Sequence, residues 1–315
     1  MNKDFNIILN NAIEKCSKPF DLETFMSRDF NNLYPFTTEN IKGYIEQFDL
    51  NNKSLLTVGS STDQIINSAY YNCKNQTSID ICPYTKYYFY LKKAALLTLK
   101  YNEFLTYFSY KNYPAIFLNN KKVFNLESFE QLKGILKEIN EEAFLFWNEL
   151  YNRFIPIDIR KKLFSYDEYK ISILREINTY LKDKNTYNEM KDKIIDIEPT
   201  FITADLSEID INEKYDNIWF SNIGAYYPIE FTKILIEKYD KNLNTGGKML
   251  ICYLYDTTKF DMTEDEIQSI YNLNLTNKII GNYIDEFISF CGISGLNHNK
   301  NIKDSILIYK KKKEQ

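Results

Sequence analysis

Short apolar runs alternate with stretches of helical periodicity along this chain. The runs fall at 54–59 (SLLTVG), 77–81 (TSIDI), 201–206 (FITADL), 216–221 (DNIWFS) and 248–255 (KMLICYLY). Runs this short, without a clean polar face, predict strands of a parallel sheet covered on both sides by helices. The fifth follows a Gly246-Gly247 turn, and two further runs, 285–295 and 305–311, predict a closing antiparallel pair. Pro83 suits the first turn of a helix reaching about residue 100. Pro228 opens another, with Phe231, Ile234, Leu235 and Tyr239 on one stripe.

Between residues 100 and 198 the sheet pattern stops. Phe129, Leu132, Ile135, Leu136 and Ile139 form one apolar stripe, Phe144, Trp147, Leu150, Tyr151 and Phe154 a second, and Leu174, Ile177 and Leu181 a third. No Gly/Ser/Pro linker marks either end, so these helices read as an insertion into one α/β domain. The expected division is an N-terminal helical segment at 1–45, a sheet domain built from 46–100 and 196–315, and an inserted helical cap at 101–195. The second N-terminal helix is expected to start at Thr37-Thr38, with Glu39 and Asn40 behind.

Composition narrows the classes. With 44% hydrophobic residues the chain is an ordinary globular one, and no apolar run approaches a membrane span. No secretory signal is visible at the start, and five scattered cysteines read as reduced thiols, so the expected location is cytoplasmic. No CxxC or Cys/His pairing suggests a metal, and the single histidine, His298, lies in a polar Asn/Lys stretch unsuited to a nucleophilic triad. A net charge of −4, with Arg28, Arg153, Arg160 and Arg175 the only arginines, speaks against nucleic acid as a partner. The chain has only nine glycines, so each is expected where the backbone demands one.

The densest chemical signal is LLTVGSSTDQ followed by TSIDICP. A strand ends in Gly59, a small polar loop follows (Ser60, Ser61, Thr62), and a helix begins near Asp63 and Gln64. Glycine lets a ligand approach the backbone, and the helix start offers free N–H groups. Asp80, twenty-one residues after Gly59 and followed by Ile81, closes the next strand, where a carboxylate can accept both hydroxyls of a ribose. The loop lacks GxGxxG, and Asp63 would repel a pyrophosphate, which disfavours NAD and FAD. A ligand with a cationic amino group fits better, such as the amino-acid end of S-adenosylmethionine. Asp205 and Leu206 end the third strand, where an acid can accept the adenine amino group, and Ser221-Asn222 end the fourth.

The order SLLTVGSSTDQ, SIDICPYTKYYFYLKKAALLTLKYNEFLTYF, EEAFLFWNEL, FITADLSEI and YDNIWFSNIGAYY resembles class I S-adenosylmethionine-dependent transferases. Among them it is most similar to the betaine-lipid-synthase type, which moves the 3-amino-3-carboxypropyl group. The resemblance spans roughly residues 55–227 and includes Tyr101, Glu103, Phe104 and Leu105 at the end of the long helix. It implies an α/β, Rossmann-like methyltransferase fold with a seven-stranded, mostly parallel sheet whose last strand is antiparallel, carrying a large helical insertion. It also implies Gly59, Asp63, Asp80 and Asp205 around the cofactor.

Both candidate reactions displace a thioether from carbon beside a sulfonium, so the protein must align the acceptor and, where needed, take its proton. Tyr34, Asn222 and Tyr226 are the expected polar groups over the sulfonium, a tyrosine face also offering a cation–π contact. The acceptor is expected to be a small or lipid-like molecule, with Arg153, Arg160 and Lys162 of the cap facing it. Two other readings stand beside this one: a nucleic-acid or protein methyltransferase, and a non-catalytic nucleoside-binding protein on the same fold.

Overall fold

Among the described residues seven strands make one sheet: β1 (Ser54–Thr57), β2 (Asn75–Asp80), β3 (Thr200–Thr203), β4 (Tyr215–Trp219), β5 (Leu243–Leu254), β6 (Glu286–Cys291) and β7 (Lys303–Lys310). Their order is β3-β2-β1-β4-β5-β7-β6. β1 to β5 run parallel, while β7 is antiparallel to both of its neighbours. This is the Rossmann-like sheet of the methyltransferase type, and its order reverses direction at β1, beside β4. The computed structural model describes residues 3–20, 31–109, 123–165, 170–223, 229–255, 286–291 and 303–311. Tyr226 and His298 lie outside them.

Alternation along the strands decides which residues face which layer. Leu55, Trp219, Leu250, Tyr253, Ile306 and Ile308 share one buried cluster with Ile41 and Tyr44 of a short helix, α2 (Ile41–Tyr44). Their neighbours Leu56, Ile218, Met249, Ile251 and Leu307 join a second cluster with Leu235, Ile236 and Tyr239. Those three come from the helix Ile229–Asp240 that precedes β5. Ile234 is 51% exposed, so the expected stripe is rotated: Ile236 takes the inward place.

The remaining helices, in chain order, are α1 (Lys3–Ser17), α3 (Asp63–Tyr70), α4 (Thr85–Thr98), α5 (Tyr101–Phe108), α6 (Leu126–Ile139), α7 (Glu141–Arg153), α8 (Pro156–Leu163), α9 (Ile171–Ile177) and α10 (Lys184–Ile194), with α11 the Ile229–Asp240 helix already met. Helices α5 to α10 fall between β2 and β3 in sequence and share one apolar core with α1, α3 and α4. Phe129, Leu132 and Leu136 of α6 and Trp147 and Leu150 of α7 are the buried centres of the predicted stripes. Because helices close over α4 from several sides, even its Lys92 and Lys93 are buried.

The second N-terminal helix is shorter and later than its sequence suggests. Asn40, not Thr37 or Thr38, is the N-cap, its Oδ1 accepting from Gly43 N at 2.9 Å. Thr37 Oγ1 instead accepts from Glu39 N at 3.1 Å, a local turn that competes with helix, and Thr38 and Glu39 form a bend ahead of α2.

Candidate functional site

The loops leaving β1, β2, β3 and β4 open on one side of the sheet, around the point where strand order reverses, and border a solvent-open cleft. Clefts for small ligands in open α/β sheets form at this place. Val58 to Ser61 and Gln64 come from the β1 loop and α3, Ile79 to Ile81 from β2, Ala204 to Leu206 from the β3 loop, and Ser221 to Ile223 from the β4 loop. Tyr34, Thr37, Thr38 and Glu39 close one wall from the N-terminal side, and Phe231 of α11 another.

The β1 loop is shaped by its backbone. Gly59 has φ +151°, a conformation that strains any side chain, and a Cβ placed on it would lie 2.4 Å from Gln64 Oε1, so Gln64 would have to move aside. Thr62 (φ 65°) and Ser221 (φ 60°) are also left-handed, on the two loops that flank the cleft. Non-glycine residues in that region are strained and gather at ligand clamps. Gln64 Nε2 spans the gap, reaching Ser221 Oγ at 3.4 Å.

Of the expected cofactor residues, Gly59, Ser60, Ser61, Gln64, Asp80, Ile81, Asp205, Leu206, Ser221 and Asn222 all line the cleft, and so does Tyr34. Asp63 does not. Its side chain is fully buried beneath the loop, with Oδ1 held by Lys92 Nζ at 2.8 Å and Tyr180 OH at 2.8 Å, and Oδ2 by Thr37 N at 2.6 Å. Lys92 also reaches Ser61 O at 2.7 Å and lies 4.5 Å from the Phe36 ring centre. Sequence showed the acid but not the lysine twenty-nine residues on that claims it. Burial depresses the Lys92 ammonium and the Asp63 carboxylate counteracts it.

Asp80, partly buried at the end of β2, accepts from Cys82 N at 2.9 Å. Burial lifts its carboxyl to about 7, against hydrogen bonds from the Cys82 and Gly59 amides. Asp205 Oδ1 starts the next loop by accepting from Ser207 N and Ser207 Oγ, both at 2.7 Å, so one of its oxygens does local turn work. Asn222 Nδ2 donates to Tyr255 OH at 2.8 Å, and Tyr255 OH also bonds Thr38 Oγ1 at 2.6 Å.

Thr37, Thr38, Ile223 and Phe231 line the cleft without having been expected there, and so does the most consequential such residue, Glu39. It is 1% exposed yet borders the cleft, accepting from Tyr44 OH at 2.9 Å and from Ser221 Oγ. Burial raises its carboxyl to about 7, opposed by hydrogen bonds from Ser221, Tyr44 and the Asn222 amide. Its TTEN context looks like a helix start, and nothing local marks it as a cleft acid.

The cap residues expected to face the acceptor are engaged elsewhere. Arg153 pairs with Glu149 on its own helix, Arg160 is buried with Nη1 on Ser165 O at 2.8 Å, and Lys162 reaches Pro19 O at 2.5 Å. Among the described residues, nothing from 101–195 lines the cleft. The apolar stripes of these helices share one core with α4 and α1.

No group of three or more Cys, His, Asp or Glu side chains poised for a metal occurs among the described residues, and no helix there is long and apolar enough to cross a membrane. No family model and no curated protein matches the sequence. Solved structures do align. The N-methyltransferase NodS of Bradyrhizobium japonicum WM9, in complex with S-adenosyl-L-homocysteine, matches at 10% identity and TM-score 0.36 over 97% of this chain and 99% of that one. The rRNA methyltransferase aviRa of Streptomyces viridochromogenes matches at 8% and 0.40 over 94% of each. The magnesium protoporphyrin IX methyltransferase ChlM of Synechocystis PCC 6803, with bound SAM, matches at 11% and 0.33 over 99% and 98%. At these values the strand order of this chain, not the matches, carries the fold.

Proposed function

We propose that this chain is an S-adenosylmethionine-dependent transferase acting on a small-molecule or lipid-like acceptor. One observation carries the reading. The cleft at the strand ends presents three carboxyls, Glu39, Asp80 and Asp205, and no lysine or arginine among its described lining residues. Such a cleft repels pyrophosphates and favours a ligand that is cationic and rich in hydroxyls. S-adenosylmethionine carries a sulfonium, an ammonium and one carboxylate, a net positive charge beside a ribose diol.

The residues fit that molecule part by part. Asp80 would take the ribose hydroxyls, and Asp205 the adenine amino group, between the apolar Ile81, Leu206 and Phe231. The Gly59 to Ser61 loop gives the amino-acid end a backbone it can approach closely. When bound, S-adenosylmethionine supplies an electrophilic carbon beside the sulfonium. Tyr34 and Asn222 would then align the acceptor. A polyanionic acceptor such as RNA would meet the same three carboxyls, which supports a small acceptor. Whether the methyl or the 3-amino-3-carboxypropyl group moves depends on which carbon the acceptor faces.

Calorimetry with S-adenosylmethionine and S-adenosylhomocysteine tests the cofactor, and absence of binding by both would sink the proposal. Mass spectrometry of the spent cofactor then identifies the group, since methyl transfer leaves S-adenosylhomocysteine and aminocarboxypropyl transfer leaves methylthioadenosine. A Gly59→Val variant is expected to bind S-adenosylhomocysteine at least about tenfold more weakly, because the side chain must displace Gln64 and a strained φ must be kept. Wild-type affinity in that variant would move the ligand away from the β1 loop.

A further inference from the structure

The amino group of the cofactor needs an anion, and the acid that sequence favoured for it, Asp63, is enclosed by Lys92, Tyr180 and the Thr37 amide. We infer that Glu39, contributed by the N-terminal segment, is the residue that binds the ammonium group of the cofactor's amino-acid end. The inference rests on the S-adenosylmethionine reading given above.

Position is the first support. Glu39 bonds Ser221 Oγ, Ser221 is within 3.4 Å of Gln64 Nε2, and Gln64 packs on the bare Cα face of Gly59. Glu39 therefore stands across from the glycine loop, at the opposite end of the cleft from Asp205, which lies on the β3 loop at the far side of β2. An adenosine laid over Asp80 and Asp205 directs its 5′ substituent toward this end.

Valence is the second. A carboxylate can accept about four hydrogen bonds. Glu39 has three donors: Tyr44 OH, Ser221 Oγ and the Asn222 amide. One lone pair is left for the cleft. The donors present are all neutral, and among the described residues no lysine or arginine forms an ion pair with Glu39, while Asp304 adds a second buried acid nearby. Asp304 is itself held by Tyr253 OH at 2.5 Å, and Tyr253 OH in turn accepts from Asn40 N at 3.0 Å. A buried carboxylate without a cation is costly, and a ligand ammonium removes that cost. The same donors fix the carboxylate plane, so the site is already built before the ligand arrives.

The test compares wild type and Glu39→Gln by calorimetry with three probes: S-adenosylhomocysteine, its analogue lacking only the amino group, and methylthioadenosine, which lacks the whole amino-acid end. Wild type is expected to prefer S-adenosylhomocysteine over the des-amino analogue by about 10- to 100-fold, the range of hydrogen bonds between charged groups. Glu39→Gln is expected to lose that preference while binding methylthioadenosine within about threefold of wild type. Equal weakening toward all three probes would show that Glu39 only shapes the wall, and unchanged affinities would place the ammonium elsewhere. Either result overturns the inference and leaves the cofactor reading standing. Should the variant not fold, the wild-type ratio decides alone: equal affinity for S-adenosylhomocysteine and its des-amino analogue overturns it. If wild type binds none of the probes, the inference and the cofactor reading fall together.

Discussion

Asp63→Ala is expected to destabilise the protein by about 3–5 kcal/mol, a fall in melting temperature on the order of 10 °C, with cofactor affinity of the folded fraction largely kept. Its carboxylate ties together the segment before α2, the start of α3, the middle of α4 and the 3₁₀ turn at Thr179–Leu181. Removing it leaves the Lys92 ammonium fully buried and facing only the Ser61 carbonyl and two aromatic rings. The size of the effect thus comes from the stranded cation more than from lost hydrogen bonds. Lys92→Met in the same chain should restore most of the stability, because an apolar side chain of similar length has no charge to desolvate. Thermal denaturation of the single and double variants measures this. A single variant that melts within about 2 °C of wild type, yet binds S-adenosylhomocysteine weakly, would return Asp63 to the ligand.

Asp80→Asn is expected to weaken methylthioadenosine binding by 100-fold or more at pH 8, since two ribose hydroxyls would each lose a charged acceptor. The effect should shrink as pH falls. Burial holds the Asp80 carboxyl near 7 in the free protein, and hydroxyl donors favour its charged form. Wild-type affinity should therefore rise with pH through about 7 and level off above it, while the variant stays flat. Glu39 also sits near 7 and Asp205 completes the acids of the cleft, so methylthioadenosine, which lacks the amino group, is the ligand that isolates Asp80. Without ligand the sign reverses. A carboxyl raised from 3.8 to about 7 binds its proton more tightly when folded, so its contribution is present at low pH and lost as pH rises toward 7. Asp80→Asn should then melt higher than wild type at pH 8 and no higher at pH 4. A pH-independent wild-type affinity would remove Asp80 from the ribose.

Most strands were legible because each carries a short apolar run bounded by polar turns; β5 departs, since it starts at Leu243 and runs through Gly246-Gly247, where Gly246 at φ 79° sits in an irregularity of the β4 pairing instead of a turn before the strand. Even the closing pair was visible, with β6 inside the run at 285–295 and β7 overlapping the run at 305–311 but starting two residues earlier, at Lys303. Most of the cleft was legible for a related reason: Gly59, Asp80, Asp205 and Ser221 follow strand ends, and sequence order alone places strand ends of a parallel sheet on one side. What stayed hidden depends on contacts between distant segments. Whether Asp63 faces a ligand or a lysine turns on the phase of α4, and Glu39 reaches the cleft only because Asn40 rather than Thr37 caps the helix behind it. The orientation of Arg153, Arg160 and Lys162 depends on how α7 and α8 pack on α1, which periodicity cannot report.

The place of β7 has a consequence for biosynthesis. Of the seven strands it is made last, yet it lies inside the sheet, with β5 on one side and β6 on the other. Until the ribosome has delivered residues 303–310, β5 has an open edge and β6 lacks the one neighbour it has among the described residues. The nascent chain must therefore hold an apolar, unpaired strand until β7 has left the ribosome, the condition under which edge-to-edge association and chaperone dependence arise. A message truncated shortly before Lys303 would yield a chain that keeps every residue proposed above to hold the cofactor and still cannot close its sheet.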